Sequence, residues 1–353
     1  MMILIRGVLL ASALLIVPAC GTPGGSSSAP APADSPAYLI ATADDAPPPS
    51  PGFIDLGPAD DFVPLYNGTV MIGDKSTNEI LVLDVQTGHV DARYPLPAPP
   101  GALLHDPDRK LVWVSLHSTS ALTRIDLAEG TQQLVSLPTV PNKLAMGPAG
   151  NVFVSPLAPG SAVAIVDAGT GTATALSGLI TGALIAFDIP QSELISAAQG
   201  TSLLSRYSYD SSARTLTFQE QIGAGTNGQE LALSPDASHL VFACGGGNGP
   251  NYSTDDIGPA DFSFSSTKRW DTGPFPFSAA FSVDSGRLLM STQQTLEVFD
   301  TSSYAKLQTF TFDLTGVAWP WLRVARWSRG GKLAFGLTDH GTGVRLFWEL
   351  VAP

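Results

Sequence analysis

Histidine and cysteine are sparse in this sequence and are not spaced as metal ligands or catalytic groups usually are. The five histidines are His89, His105, His117, His239 and His340, and no two of them form an HxH, HxxxH or HExxH pair. This spacing argues against a zinc or copper site built on one strand or helix. The sequence also contains no GxSxG nucleophile elbow and no CxxCH haem-attachment motif.

Cys20 follows an N-terminal segment typical of exported proteins. Arg6 precedes the apolar run Gly7–Val17, which ends in VPAC. This pattern resembles a bacterial lipobox, although Pro18 departs from its commonest form. The resemblance implies that residues 1–19 are a lipoprotein signal peptide and that Cys20 carries the lipid. An ordinary secretory signal cut nearby is the alternative.

Residues 20–52 are rich in Gly, Ser, Pro and Ala and predict a disordered tether. Gly21 is not the Asp that is associated with inner-membrane retention, so the resemblance favours a cell-envelope location at the outer membrane. The net charge of −13 excludes a nucleic-acid backbone as partner, because no basic stripe is present. The other cysteine, Cys244, lies in an apolar strand and is expected to be a buried small hydrophobe.

The rest of the chain is organised by a repeated pattern of apolar strand, polar turn and apolar strand. It is clearest in LALSPDASHLVFAC from Leu231 and returns in LLHDPDRKLVWVS, LAMGPAGNVFVSP, IAFDIPQSELISA, AAFSVDSGRLLMS and VARWSRGGKLAFG. A degraded first copy, VPLYNGTVMIGD, starts at Val63. The turns open at intervals of 41, 41, 46, 48 and 46 residues. Such spacing is typical of β-propeller blades.

Each unit continues with a third strand that closes on Asp and with a fourth strand, as in ILVLDVQTGHV. Four short strands per unit and seven units predict an all-β, seven-bladed β-propeller over residues 53–353. The last unit supplies only three strands, whereas a spare one, Phe53–Leu56, precedes the first unit. We therefore expect Phe53–Leu56 to pair with Val344–Leu350 and to complete the last blade.

GPFPFSAAFSVDSGRLLMS, GQELALSPDASHLVFA, VLDVQTG and IVDAGTG resemble the YVTN-type seven-bladed propeller repeat. The resemblance covers about residues 53–353 and extends to a superfamily of lactonase-like propellers. It implies the fold and leaves the function open, because one fold hosts many functions.

In a propeller, the loops that enter the innermost strand and the loops between the second and third strands share one face around the channel mouth. We expect the ligand-binding face of this protein there. Its candidate residues are Asp74, Asn78, His117, Asn142, Asn227, Glu230, Trp319, Trp321, Arg323, Asp339 and His340. Trp319 and Trp321 flank a proline and suit stacking on a sugar, a peptide or a cation; packing within the channel or between blades is the alternative.

Two function classes fit this face. The first is a non-catalytic binding module for a protein, peptide or glycan at the cell envelope, held on the membrane by its lipid and expected to be a monomer. The second is a metal-dependent, lactonase-like hydrolase. Gluconolactonase-type propellers hold a divalent cation with oxygen ligands, and Asn142, Asn227, Glu230 and Asp339 would have to supply the Ca²⁺ ligands here. The missing catalytic motifs favour the binding module, with no resident cofactor.

Overall fold

The computed structural model describes residues 50–352 except 67, 159, 181, 226, 245–252, 316 and 318–320. This part of the chain contains twenty-eight β-strands and one 3₁₀ turn, Pro148–Gly150. None of its helical segments is long and apolar enough to cross a membrane. The expectations for residues 1–19, Cys20 and most of the tether concern residues outside the described part.

The described strands form seven four-stranded antiparallel blades arranged in chain order, and a single parallel bridge between Ser177 and Thr215 joins the outer strands of blades 3 and 4 into one eight-stranded sheet. The first strand, β1 (Gly52–Leu56), belongs to the last blade. Blade 1 contains β2 (Phe62–Pro64), β3 (Thr69–Asp74), β4 (Glu79–Asp84) and β5 (His89–Pro95). Blade 2 contains β6 (Pro100–Asp106), β7 (Leu111–Leu116), β8 (Ala121–Asp126) and β9 (Thr131–Ser136). Blade 3 contains β10 (Pro141–Met146), β11 (Val152–Pro156), β12 (Ala162–Val166) and β13 (Ala173–Leu179).

The remaining blades repeat the same order. Blade 4 contains β14 (Leu184–Asp188), β15 (Glu193–Ala197), β16 (Leu203–Asp210) and β17 (Thr215–Gly223). Blade 5 contains β18 (Gly228–Leu233), β19 (Leu240–Cys244), β20 (Ser253–Gly258) and β21 (Ser263–Asp271). Blade 6 contains β22 (Ser278–Phe281), β23 (Arg287–Ser291), β24 (Thr295–Asp300) and β25 (Lys306–Thr311). Blade 7 contains β26 (Leu322–Trp327), β27 (Leu333–His340), β28 (Gly343–Leu350) and β1.

The predicted closure of the ring is confirmed. Strand β1 runs antiparallel to β28, with Gly52 opposite Trp348 and Leu56 opposite Val344. Arg345 Nε and Nη2 donate to the two carboxylate oxygens of Asp55 at 2.6 and 2.9 Å. The first strand of the chain therefore covers the edge of the last blade, which would otherwise carry unpaired backbone groups.

The polar turns that punctuate the repeat satisfy their own backbone. Asp84 Oδ1 accepts the N–H groups of Gln86 and Thr87, and the next residue, Gly88, takes a φ of +70°. Ser234 Oγ accepts the N–H groups of Ser238 and His239 in the first turn of blade 5. These contacts explain why the repeat keeps Asp, Ser and Gly at the turns.

The hydrophobic core lies between neighbouring blades. One cluster joins Val70 and Ile72 of blade 1 to Phe335 and Leu346 of blade 7, so the first and last blades share a core. Cys244 is buried, as its apolar strand predicted, and its thiol donates to the carbonyl oxygen of Ala224 at 3.5 Å. The first strand of each blade contacts the first strand of the next, which leaves a central channel between the seven inner strands.

Candidate functional site: the channel and its mouth

One position on each inner strand forms a ring around the channel, which we call the channel ring. In blades 2 to 7 this residue lies four positions before the residue that opens the first turn, and in blade 1 it is Asp61. The ring residues of blades 1 to 7 are, in order, Asp61, Ala102, Lys143, Leu184, Glu230, Ser278 and Val324. Most of them line one or both of two adjoining cavities in the channel.

Arg326 of β26 bridges the two acidic members of the channel ring. Its Nη1 lies 3.0 Å from Glu230 Oε1, and its Nη2 lies 3.0 Å from Asp61 Oδ1. Burial works against the charge of Arg326, but the two carboxylates outweigh burial and raise its pKa further. Both carboxylates are therefore held as ion-pair partners across the channel.

The same carboxylates also join neighbouring blades. Asp61 Oδ2 accepts the N–H of Leu103 at 3.1 Å, and Glu230 Oε2 accepts the Ser278 hydroxyl and the N–H of Ala279 at 3.3 Å. Ser278 Oγ in turn accepts the N–H of Ala325 at 2.9 Å. The innermost strand of each blade has no further strand to pair with on its channel side. Side chains of polar ring residues accept the backbone N–H groups that would otherwise lack a partner there.

Lys143 is the remaining charged member of the channel ring, and its surroundings differ. It is half-buried and lines both cavities. Its neighbours in the ring are Ala102 and Leu184, which offer no side-chain acceptor. Within the described residues, its ammonium makes neither a hydrogen bond nor an ion pair.

A second set of charges lies at the mouth, on blades 1, 2 and 7. Asp60 accepts hydrogen bonds from Lys75 Nζ at 3.0 and 3.1 Å and pairs with His117 Nε2 at 2.8 Å. Burial raises the pKa of Asp60, but the hydrogen bonds from Lys75 and His117 outweigh it, so that the pKa lies below its usual value. Arg323 lies 4.0 Å from Asp60 and 2.9 Å from Asp339.

The cavity at the mouth, which we call the mouth cavity, has a volume of about 330 Å³. This volume falls at the lower end of ligand pockets, which measure about 300–1,000 Å³. Its lining combines charges, amides and one aromatic ring. The lining residues are Asp60, Asp61, Gly101, Ala102, His117, Asn142, Lys143, Gln199, Gln229, Glu230, Phe277, Arg323, Val324 and Arg326.

Amide groups and a stacked aromatic pair complete the rim. Gln199 Nε2 donates to Gln229 Oε1 at 3.2 Å, and Gln229 Nε2 donates to Asn227 Oδ1 at 2.9 Å. Phe277 lines the cavity, and Trp321 stacks on it with ring centroids 4.8 Å apart and an interplanar angle of 25°. The mouth therefore presents both hydrogen-bonding groups and a rigid apolar surface.

The residues expected at the ligand-binding face divide into two groups. The structure brings His117, Asn142, Glu230 and Arg323 together in the mouth cavity. Asp339 holds Arg323 at the rim, and Trp321 holds Phe277. These contacts assign a positioning role to the last two residues.

The remaining candidates lie outside the lining of the mouth cavity. Asp74 accepts the N–H of Ser76 in its own turn, and Asn78 takes a left-handed φ of 56°. Asn227 also has a positive φ, and it accepts from Gln229. His340 Nδ1 lies 3.6 Å from Asp55 on the outer side of blade 7. Trp319 lies outside the described residues.

The oxygen ligands predicted for a cation are not gathered at one point. The described residues contain no group of three or more His, Cys, Asp or Glu side chains placed to hold a metal ion. Glu230 is tied to Arg326 and Ser278, and Asp339 is tied to Arg323. The Ca²⁺ site therefore stays a prediction.

Three residues that organise the channel were not among the sequence-based candidates: Asp60, Asp61 and Arg326. For Arg326 the sequence does contain a signal. The corresponding position is alanine in the four preceding blades, as in LAM, IAF, LAL and AAF, but ARW places an arginine there. A charged residue in a column of small inner-strand residues has to find partners within the channel.

Comparisons with known proteins reveal similarity in fold. No family model and no curated protein matches the chain. Hydrazine synthase from Kuenenia stuttgartiensis superposes with a TM-score of 0.64 and 13% identity, covering 81% of this chain and 93% of that chain. The β-propeller domain of Cps50 (Swd1) from Myceliophteria thermophila gives a TM-score of 0.65 and 11% identity, covering 86% of this chain and 100% of the domain. At such identities the comparisons show a β-propeller and nothing about its ligand.

Proposed function

We propose that this protein is a lipid-anchored β-propeller of the cell envelope that binds a protein, peptide or glycan partner through its mouth cavity. The proposal rests on which polar groups of that cavity are already paired with one another and which face the open space. Its carboxylates are committed to ion pairs, whereas Lys143 and the amides of the rim face the open space. Such a surface is arranged for recognition, because its polar groups are held in place before a ligand arrives.

The same geometry favours binding over lactone hydrolysis. A metal-dependent hydrolase needs carboxylate oxygens that are free to coordinate a cation. Both oxygens of Glu230 already accept hydrogen bonds, one from Arg326 and the other from Ser278 and Ala279. Asp60, the carboxylate nearest to His117, is held by Lys75 as well.

The anchoring part of the proposal rests on the sequence before the propeller. The segment before β1 is rich in Gly, Ser and Pro, and a flexible chain of its length, about 30 residues, would span on the order of 30 Å root-mean-square. It precedes β1, which is the outermost strand of blade 7. A tether attached at the periphery leaves the channel mouth accessible to a partner.

Binding is tested by probing arrays of glycans and peptides with the purified protein and with a variant carrying Asn142→Ala and Gln199→Ala. We expect a ligand of the wild-type protein to bind the double variant at least about tenfold more weakly, because it loses hydrogen bonds worth about 1 kcal/mol each. Gln219→Ala, which removes an exposed amide on an outer strand of blade 4, is the matched control. Equal binding by the double variant would place the ligand elsewhere and contradict the proposal.

Anchoring is tested separately by metabolic labelling with a palmitate analogue in a bacterial host. We expect the wild-type chain to incorporate label and to fractionate with the outer membrane. Cys20→Ala should abolish the label and release the protein from the membrane fraction. Label that persists in the variant would contradict the lipidation of Cys20.

A further inference from the structure

Lys143 makes no hydrogen bond or ion pair with the described residues, and it lies in a partly enclosed space. Arg326, which lines the same two cavities, is matched by Asp61 and Glu230, each 3.0 Å away. Lys143 belongs to the channel ring and lies between the apolar ring residues Ala102 and Leu184. A half-buried ammonium is costly unless it is solvated or paired, so this position favours an anionic group supplied from outside.

The groups around Lys143 indicate what else the anion should carry. Asn142, the residue before it, and Gln199 and Gln229 line the same cavity. A carboxamide presents two donors and an acceptor side by side. Gln199 donates to Gln229, and Gln229 donates to Asn227. The donors and acceptors that remain on the three amides match a ligand with several hydroxyl groups, each of which both donates and accepts.

An apolar surface lies beside these amides. Phe277 lines the mouth cavity, and Trp321 stacks on it almost in parallel, so its ring cannot rotate freely. Phe275 stacks on Trp321 in turn, with centroids 6.1 Å apart. A rigid aromatic ring next to hydrogen-bonding groups suits the flat C–H face of a sugar.

We propose that the mouth cavity binds an acidic saccharide, with its carboxylate at Lys143, its hydroxyl groups at the amides of Asn142, Gln199 and Gln229, and a ring face toward Phe277. This inference rests on the proposed function and narrows the partner to one class. The hydroxyl-rich ring is favoured over a peptide carboxylate, because one rigid unit presents hydroxyl groups to the amides and a flat C–H face to the aromatic ring.

The experiment is calorimetric titration of the full chain in mild detergent with three probes: trigalacturonate, the neutral trisaccharide maltotriose and an acetylated tri-alanine with a free C-terminal carboxylate. We expect trigalacturonate to bind most tightly and to bind less tightly as salt is raised. Lys143→Met should weaken its binding by at least about tenfold, because a charge-assisted contact is lost. Lys143→Arg should keep most of it. Lys110→Met, the same substitution in the turn between β6 and β7 of blade 2, at the end of the propeller remote from the mouth, is the control.

The remaining outcomes overturn the inference in distinguishable ways. Equal affinity for both saccharides, or an unchanged affinity in Lys143→Met, would remove the carboxylate contact but leave binding at the mouth intact. Binding of the peptide alone, dependent on Lys143, would replace the saccharide by a protein terminus. If none of the three probes binds, the acidic saccharide is wrong, and the arrays described above decide the proposed function independently.

Discussion

Removing the guanidinium of Arg326 should destabilise the propeller more than any other single change in the channel. Asp61, which is 4% exposed, and Glu230 would then lie on opposite sides of an empty position with their negative charges uncompensated. Breaking a buried ion pair from one side typically costs about 3–5 kcal/mol. Both carboxylates keep hydrogen-bond donors from other residues, so we expect Arg326→Met to cost about 3 kcal/mol at neutral pH.

The assay is equilibrium unfolding in urea at pH 7.5, with the unfolding free energies of wild type and variant compared under the same conditions. Lys143→Met is the control, because this lysine has no partner among the described residues; it should change stability by less than about 0.5 kcal/mol.

A triple variant carrying Asp61→Asn, Glu230→Gln and Arg326→Met provides the sharper test. It removes all the charges together, so it should be more stable than the single variant despite containing more substitutions. A loss of less than about 1 kcal/mol in Arg326→Met, or a triple variant that is the least stable of the set, would refute the assignment of Arg326 as the central ion-pair partner.

Three further perturbations test other parts of the structure. Deleting residues 50–58 should lower the melting temperature by several degrees or abolish folding, because it removes the strand paired with β28; Leu307→Thr on the exposed outer strand of blade 6 should leave it unchanged. Burial and the nearby Arg329 lower the pKa of His105 to about 4, so wild type should lose stability as the pH falls from 6.5 to about 4, and His105→Gln should lose less over that window in pH-dependent urea unfolding. Hydrogen bonds from Ser302 and Ser303 lower the pKa of Asp300 to about 2, so the stability difference between wild type and Asp300→Asn should be full above pH 4 and should vanish as the pH falls toward 2.

The architecture was predictable because its signals are local and repeated. Each first turn is set by a residue such as Asp106, Asp188 or Ser282, whose side chain binds backbone N–H groups within the next few residues. Counting four strands per blade left the last blade one strand short, and β1 supplies that strand by pairing with β28. A pattern that repeats seven times averages out local exceptions, even where the first copy is degraded.

The mouth was only partly predictable because its contacts join residues far apart in sequence. Asp60 receives Lys75, His117 and Arg323 from three different blades, and none of these pairs shares a local motif. Closure of the ring does place the segment after β1 beside the start of β26, which is how Asp60 comes near Arg323. Trp321 positions Phe277, which precedes the first strand of the neighbouring blade 6. The pattern of residues along one strand does not show which residue of another blade it will contact.

The direction in which β1 joins the last blade fixes how the protein would face its surroundings. Leu56, the end of β1, leads directly to Asp60 and Asp61 at the channel mouth, whereas Gly52 lies at the opposite end of the blade, beside Trp348. Under the proposed lipidation of Cys20, the membrane would lie toward the Gly52 end of blade 7, and soluble molecules would reach Lys143 from the opposite face of the propeller.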